Sequence, residues 1–442
     1  MIEKYDIAII GCGTAGYETA LAASKAGLST IIFEEKYIGG TCLNVGCIPT
    51  KAYLYKAKQY QLLNKLKVES SRDDLFSMPS ISSSTQRVIA RSQRAMETKL
   101  IKNEVMLIKE TVSTFNSDTI TTTEGNNYCF DKLILASGSS PFIPGLFQKK
   151  TDNPKLYTNE NIFSLEEFPE SITIVGGGVI GIEFAFFFSS FGVQVDIIEL
   201  AQTILPFVDT DLVQEAKKLL KRKKVKIHEN IKIAKLGDDL SISTADGAII
   251  SNERLLVATG RKANLPDHTI NITLNQKGFV ETSNCYQTNI NNIFAIGDIN
   301  GKSLLAHSAS NQAFQLLEYI THGSIPTEKT IPSVIYLNPS LSSVGLNEKD
   351  LGDDFSCTLT KIPYGLSGKA QAEENTEGWI KLITNEDQLL GAHIYGPNGE
   401  DLLPLCTLAI DMKLSINELA NTIYAHPSYC ELLKEAFHAA LQ

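Results

Sequence analysis

Ile7-Ala8-Ile9-Ile10-Gly11-Cys12-Gly13-Thr14-Ala15-Gly16 is the stretch on which the architecture turns. Three of the four residues before Gly11 are β-branched, and a short apolar run of that kind reads as a buried parallel strand. Gly11, Gly13 and Gly16 follow. Tyr17 to Ala26 is alanine-rich, predicted helical, and stopped by Gly27. A second strand is predicted from Ser29 to Phe33, closed by Glu34. Strand, G-x-G-x-x-G, helix, strand and acid suit a dinucleotide. The glycines allow a tight turn and close backbone approach, the helix start offers N–H groups to phosphates, and the acid binds ribose hydroxyls. Taken alone, such glycine spacing also has a plainer reading as a Gly-rich turn.

The arrangement recurs. Ile172 to Val175 is strand-like, Gly176, Gly178 and Gly181 repeat the spacing, Ile182 to Phe191 is predicted helical, and Val193 to Ile198 leads to Glu199. From first glycine to acid is 23 positions in both copies. Repetition at fixed spacing is hard to reach by chance. Each copy also closes alike, in Leu133-Ile134-Leu135-Ala136-Ser137-Gly138 and Leu255-Leu256-Val257-Ala258-Thr259-Gly260. The first copy is longer, 127 positions from Gly11 to Gly138 against 84 from Gly176 to Gly260, so it carries an insertion.

That insertion holds Gly39-Gly40-Thr41-Cys42-Leu43-Asn44-Val45-Gly46-Cys47-Ile48-Pro49-Thr50-Lys51. On an undistorted helix two cysteines at this spacing have Cα atoms about 8–9 Å apart, and a disulfide needs less than about 7 Å. A bridge between Cys42 and Cys47 therefore requires bent backbone, which Gly39, Gly40, Gly46 and Pro49 permit; two buried free thiols are the alternative. Two dinucleotide sites and one dithiol suggest FAD with a nicotinamide carrier. Glu199 favours NAD, because a carboxylate repels a 2′-phosphate and Leu200 to Leu205 holds no cation. Lys56 to Lys109 reads as a solvated helical hairpin, with Glu69-Ser70-Ser71 and Ser80 to Ser84 as loops and Gln86 to Ile101 as a helix.

The chain has 442 residues, 20% of them charged, and a formal net charge of −10. That acidic balance argues against nucleic-acid and membrane-surface roles. No eighteen-residue apolar run marks a membrane span, and the N-terminus lacks the features of a signal peptide. The expected address is the cytoplasm. Eight cysteines in so long a chain are not a disulfide scaffold there, and paired C-x2-C metal motifs are absent.

GGTCLNVGCIPTK (39–51), GGGVIGIEFA (176–185), ATGRKAN (258–264), NIFAIGDI (292–299), LLAH (304–307) and AHPSYCELLKEAF (425–437) together resemble the class I pyridine nucleotide–disulfide oxidoreductases, nearly end to end. Leu43, Ile48 and the tail resemble the lipoamide-type members most. The resemblance implies an α/β fold: two Rossmann-like nucleotide-binding domains, for FAD (residues 1–154) and NAD (155–265), a central part (266–326) completing the FAD site, and an α+β C-terminal dimerisation domain (327–442). It implies that Cys42 is the interchange thiol, that Cys47 contacts the flavin, and that Lys51 near the flavin ring pairs with Glu183. His426, oriented by Glu431 and supplied by the partner of a homodimer, would take the substrate's proton. The implied cofactor-binding residues are Gly11, Gly13, Gly16, Glu34, Gly40, Thr41, Lys51, Gly138, Gly176, Gly178, Gly181, Glu199, Gly260 and Asp298, with no metal.

The implied activity is oxidation of dihydrolipoamide by NAD through a Cys42–Cys47 redox disulfide and FAD. The lipoyl group would sit on a separate chain, as in a 2-oxo acid dehydrogenase complex, because no lipoyl module precedes the FAD domain. The nearest rival is an NADH-driven reductase of another disulfide, oxidised thiol or metal species in stress defence and cell redox homeostasis. A flavin-binding scaffold with inert cysteines is the rival from another class. Ser308, where lipoamide enzymes often carry a basic residue, and Cys430, beside His426, depart from the pattern. His307 is left without a role.

Overall fold

Strands buried on both faces organise the first nucleotide unit, as their continuous apolar runs require. The structure is a computed structural model that describes residues 3–67, 72–352 and 356–442. The Glu69-Ser70-Ser71 loop reading lies outside the described residues. The chain divides into two compact units. One comprises Met1–Tyr53, Ser71–Glu167 and Val257–Thr327; the other comprises Leu54–Ser70, Phe168–Leu256 and Glu328–Gln442.

In the first unit Lys4–Ile10 is a central strand, with Thr30–Phe33 and Asn127–Leu135 parallel on either side. Met106–Ile108 adds beyond Thr30–Phe33, and Ile293–Ala295 pairs parallel with Asn127–Leu135. Thr119–Thr122 and Val112–Phe115 continue the sheet antiparallel. The helix Thr14–Lys25 packs on it through Ala15, Ala20, Leu21 and Ala23, in one core with Ile7, Ile9, Ala309 and Ala313. Small residues on the helix let it lie close to the sheet.

The second unit repeats the theme. Its strands run in the order Lys226–His228, Gln194–Ile198, Ser171–Val175, Arg254–Val257, and the helix Val179–Ser190 follows the second glycine loop. The same unit holds an antiparallel sheet in the order Ser333–Ile335, Ser340–Gly345, Gln388–Gly396, Trp379–Asn385, Thr358–Pro363. Helices Gly399–Met412, Ile416–Asn421 and Cys430–Ala440 bury Leu402, Cys406, Leu419, Leu433 and Phe437 with that sheet's Ile380, Leu382 and Ile394.

Ser80 to Ser84, expected as a loop, is helical: Met78–Lys102 is one helix. Met78, Ile81, Thr85 and Ile89 are buried at helical spacing, and that apolar stripe outweighs the weak helix preference of serine. Ser77 caps it by accepting the Ser80 N–H, and Ser84 and Thr85 donate to the Ile81 carbonyl. Gln86 to Ile101 lies within this helix, although Val88 faces out.

Candidate active site

The two glycine loops have the same internal wiring. Gly11 and Gly176 adopt φ of +101° and +112°, where side chains are strained. A Cβ on Gly16 would run into the Gly11 carbonyl, and one on Gly181 into that of Gly176, so each helix starts hard against its loop. Cys12 N–H donates to Glu34 Oε2 at 2.8 Å, and Lys36 and Tyr37 N–H donate to Oε1 at 2.9 and 3.2 Å. In the second copy Gly177 N–H donates to Glu199 Oε2 at 2.6 Å and Ala201 N–H to Oε1 at 2.7 Å. Each acid is thus latched to the middle of its own glycine loop.

These loops fit dinucleotides. A carboxylate has about four lone-pair sites, so both acids retain acceptor capacity for ribose hydroxyls. Neither Gly13 nor Gly178 supplies a side-chain cap, which leaves the helix starts to a phosphate. Burial raises Glu34 above its ordinary value, and the three N–H donors oppose this.

The cysteine segment grows out of the first loop. Gly39 N–H donates to the Cys12 carbonyl at 2.8 Å, and a Cβ on Gly40 would lie 2.7 Å from Gly13 Cα. Gly40–Val45 is one short helix, Gly46 breaks it at φ −139° and ψ −114°, and Cys47–Lys65 is the next. A Cβ at Gly46 would sit 2.8 Å from the Thr41 carbonyl oxygen and 3.2 Å from Cys42 Cα. This is a bend of the kind that a Cys42–Cys47 bridge would require. Cys42 and Cys47 are not joined by a disulfide here. Their shared hydrogen bond, then burial, pushes the Cys42 thiol well up, while the Lys51 ammonium draws it down.

Asn44 is a site residue that sequence reading passed over. It is buried and donates to the Ile38 and Gly40 carbonyls at 3.0 and 2.8 Å. It accepts from Gln93 of the Met78–Lys102 helix at 2.5 Å, so that helix braces the dithiol turn. An Asn between two cysteines was the available signal.

Asp298 lies in the tight turn Gly297–Asn300 after the strand Ile293–Ala295 and accepts the Ser139 hydroxyl. Burial raises its carboxyl, opposed by Ser139 and by Arg261 3.7 Å away. Gly138 and Gly260, the predicted closing glycines, flank a ribbon in which Ser139–Pro141 pairs antiparallel with Arg261–Ala263. His307 is exposed, the second residue of the helix Ala306–His322.

In the second unit Glu183 is 2% exposed and accepts the Tyr336 N–H at 3.0 Å. His426 Nδ1 lies 2.9 Å from Glu431 Oε1, and Glu431 Oε2 accepts the Ser428 N–H at 2.9 Å. Those partners hold Glu431 below the usual carboxylate range, Ser428 first and His426 second. A carboxylate can only accept, so the Nδ1 proton is fixed and Nε2 is the basic nitrogen. The His426 side chain is 78% exposed. Among the described residues no group of three or more His, Cys, Asp or Glu could hold a metal ion, and no helix is long and apolar enough to cross a membrane.

Comparison with known proteins agrees with this geometry. The profile of the family described as pyridine nucleotide-disulphide oxidoreductase matches residues 5–313, and that of its dimerisation domain matches residues 331–437. The chain belongs to the pyridine nucleotide-disulphide oxidoreductases. The dihydrolipoyl dehydrogenase of Bacillus subtilis is 32% identical over 473 residues, spanning 100% of this chain and 98% of its own. That of Chlamydia muridarum is 33% identical over 456 residues, spanning 99% and 97%. The HOCl-induced flavoprotein disulfide reductase RclA from Escherichia coli superposes with a TM-score of 0.88 at 24% identity, covering 98% of this chain and 99% of that one. LpdA from Mycobacterium tuberculosis gives 0.89 at 22%, covering 99% of each. These structural likenesses speak for the fold. As a member of this family the protein is an oxidoreductase acting on a sulfur group, with FAD and NAD as cofactors and a C-terminal dimerisation domain.

Proposed function

We propose that the protein oxidises dihydrolipoamide with NAD, the lipoyl group being carried on a separate chain such as a 2-oxo acid dehydrogenase component. The observation that carries this reading is the dithiol turn. Cys42 and Cys47 face each other across the Gly46 break, in a chain 32% identical over its whole length to a dihydrolipoyl dehydrogenase. The domain limits 1–154, 155–265, 266–326 and 327–442 belong to the same proposal, as does a cytoplasmic address, where free thiols persist.

In the oxidised enzyme one substrate thiolate attacks Cys42 Sγ of the Cys42–Cys47 bridge, and Cys47 leaves as thiolate. The second substrate sulfur then displaces Cys42, closing the lipoyl disulfide. His426 Nε2 of the partner subunit in the homodimer accepts the proton of the attacking thiol, and Glu431 stabilises the resulting imidazolium. Bound FAD would supply the two-electron chemistry that links the dithiol to NAD. Gly11, Gly13, Gly16, Glu34, Gly40, Thr41, Lys51, Gly138 and Asp298 would hold it; Gly176, Gly178, Gly181, Glu199 and Gly260 would hold NAD. Lys51 would keep a positive charge near the thiolate. The balance is dihydrolipoamide plus NAD⁺ giving lipoamide, NADH and one proton.

Lipoamide-dependent NADH oxidation by purified protein tests this. Cys42→Ala should abolish it, and His426→Gln should lower it about 10²- to 10⁴-fold. Wild-type turnover in Cys42→Ala overturns the mechanism. Efficient reduction of another disulfide with none of lipoamide overturns the substrate.

A further inference from the structure

Arg261 has no place in the electron path outlined above, yet its side chain is only 9% exposed. Its Nε donates to Ser139 Oγ at 2.6 Å and its Nη2 to the Ser139 carbonyl at 2.5 Å. Ser139 is itself 4% exposed and donates to Asp298 Oδ2. The guanidinium lies 3.7 Å from Asp298 Oδ2 and 3.7 Å from Glu160 Oε1. On the far side, Gln312 Oε1 accepts the Gly297 N–H and the Asn300 Nδ2 donor, each at 2.9 Å, which holds the turn that presents Asp298.

The chemistry of these groups gives the chain a direction. A guanidinium can only donate, and a hydroxyl has one proton. With Arg261 Nε aimed at its oxygen, Ser139 must send that proton to Asp298. Oδ2 is thereby committed as an acceptor, and Oδ1 is left to accept from a ligand hydroxyl. A serine without the arginine is free to rotate, and the buried carboxylate loses its nearest positive charge. Burial already disfavours the ionised form of Asp298, and Ser139 and Arg261 are the groups that oppose it.

We propose that Arg261 is a positioning residue for the flavin site, acting through Ser139 to fix Asp298 as an ionised, oriented acceptor for a hydroxyl of FAD. This rests on the place given to Asp298 under the proposed function. Strand pairing of Arg261–Ala263 with Ser139–Pro141 sets the register of the relay, so it is built into the ribbon.

The test is a double-mutant cycle read by FAD release from purified holoprotein on dilution, followed by flavin fluorescence. Arg261→Gln and Asp298→Asn should each weaken FAD binding about 10- to 100-fold, as loss of a charge-assisted hydrogen bond does. Their combination should be no weaker than Asp298→Asn alone, because both changes remove one function. Arg261→Lys should fall between wild type and Arg261→Gln. A ribbon staple of purely structural importance would instead give losses that multiply in the double variant, and that result overturns the inference. So does wild-type FAD affinity in a folded Arg261→Gln protein. If Arg261→Gln fails to fold, Ser139→Ala cuts the same relay; unchanged FAD retention there is equally fatal. If Asp298→Asn itself leaves FAD binding intact, the assignment of Asp298 falls and takes Arg261 with it. If Asp298→Asn weakens binding and Arg261→Gln does not, only the relay falls.

Discussion

Gly46→Ala separates the two sulfurs of the dithiol turn without touching either. The new Cβ would lie 2.8 Å from the Thr41 carbonyl oxygen and 3.2 Å from both Thr41 C and Cys42 Cα. Those are backbone atoms, which yield less readily than the end of a flexible side chain. Gly46 is not free to swing away, because its carbonyl accepts the Thr50 N–H at 3.1 Å and the Thr50 hydroxyl at 2.6 Å. Relief therefore comes from opening the gap between Thr41-Cys42 and Gly46-Cys47. Overpacking of this kind costs about 1–3 kcal/mol. In the dithiol form the gap can widen; a Cys42–Cys47 bond forbids that, so the oxidised form carries the strain. At about 30 mV per 1.4 kcal/mol for a two-electron couple, the dithiol potential should rise by about 20–60 mV. The assay equilibrates the protein in glutathione buffers, alkylates free thiols and weighs the products. Gly368→Ala is the control, since nothing lies within 4 Å of its added Cβ. An unmoved or lowered potential in a Gly46→Ala protein of unchanged helical content refutes the reasoning.

Two further predictions concern the second nucleotide site and stability. Glu199→Gln keeps an acceptor for only one of the Gly177 and Ala201 N–H groups and removes the charge, so the preference for NAD over NADP in steady-state kinetics should fall about tenfold or more; an unchanged ratio means that Glu199 does not face the ribose. Burial, then the like charge of Arg222, pushes Lys223 down to about 8. The unfolded chain holds that proton up to about 10.4, so between these values the unfolded state binds more protons and stability rises with pH. Below pH 8 the full penalty applies, offset in part by the Phe186 ring 4.7 Å from the ammonium. Lys223→Met should therefore raise the melting temperature at pH 7, by an amount matching about 1 kcal/mol after allowance for solvent. The advantage should shrink as pH climbs from 8 toward 10.4; an advantage constant with pH contradicts it.

What the sequence made legible were features with a period or a fixed spacing. Buried strands, glycine loops and closing acids announce themselves because backbone geometry at those positions admits few residue types. The spacing of the two cysteines asked for bent backbone if they are bridged, and the structure puts the break at Gly46. The serine-rich segment 80–84 misled because serine's local preference was weighed without the stripe of Met78, Ile81, Thr85 and Ile89, which extends beyond it on both sides. Partnerships across long sequence distances were out of reach. Arg261 meets Ser139 122 positions away, and Gln93 meets Asn44 49 positions away. The buried Lys381, paired with Asp209 at 2.8 Å, sits in an apolar strand where only the fold explains a charge.

The two nucleotide copies differ chiefly in what fills the crossover after the second strand. In the second copy the helix Thr210–Arg222 fills it, and Lys226–His228 then pairs with Gln194–Ile198. In the first copy the crossover holds the cysteine helices and Met78–Lys102, yet Met106–Ile108 pairs with Thr30–Phe33 in the same parallel manner. The inserted segment leaves the sheet undisturbed because it is tied at its root. Gly39 bonds to Cys12, and Gly40 has no room for a Cβ against Gly13. Under the proposed function one loop would serve both the nucleotide and the sulfur chemistry. A side chain at position 40 would push the cysteine segment and the first glycine loop apart, because its Cβ would lie 2.7 Å from Gly13 Cα.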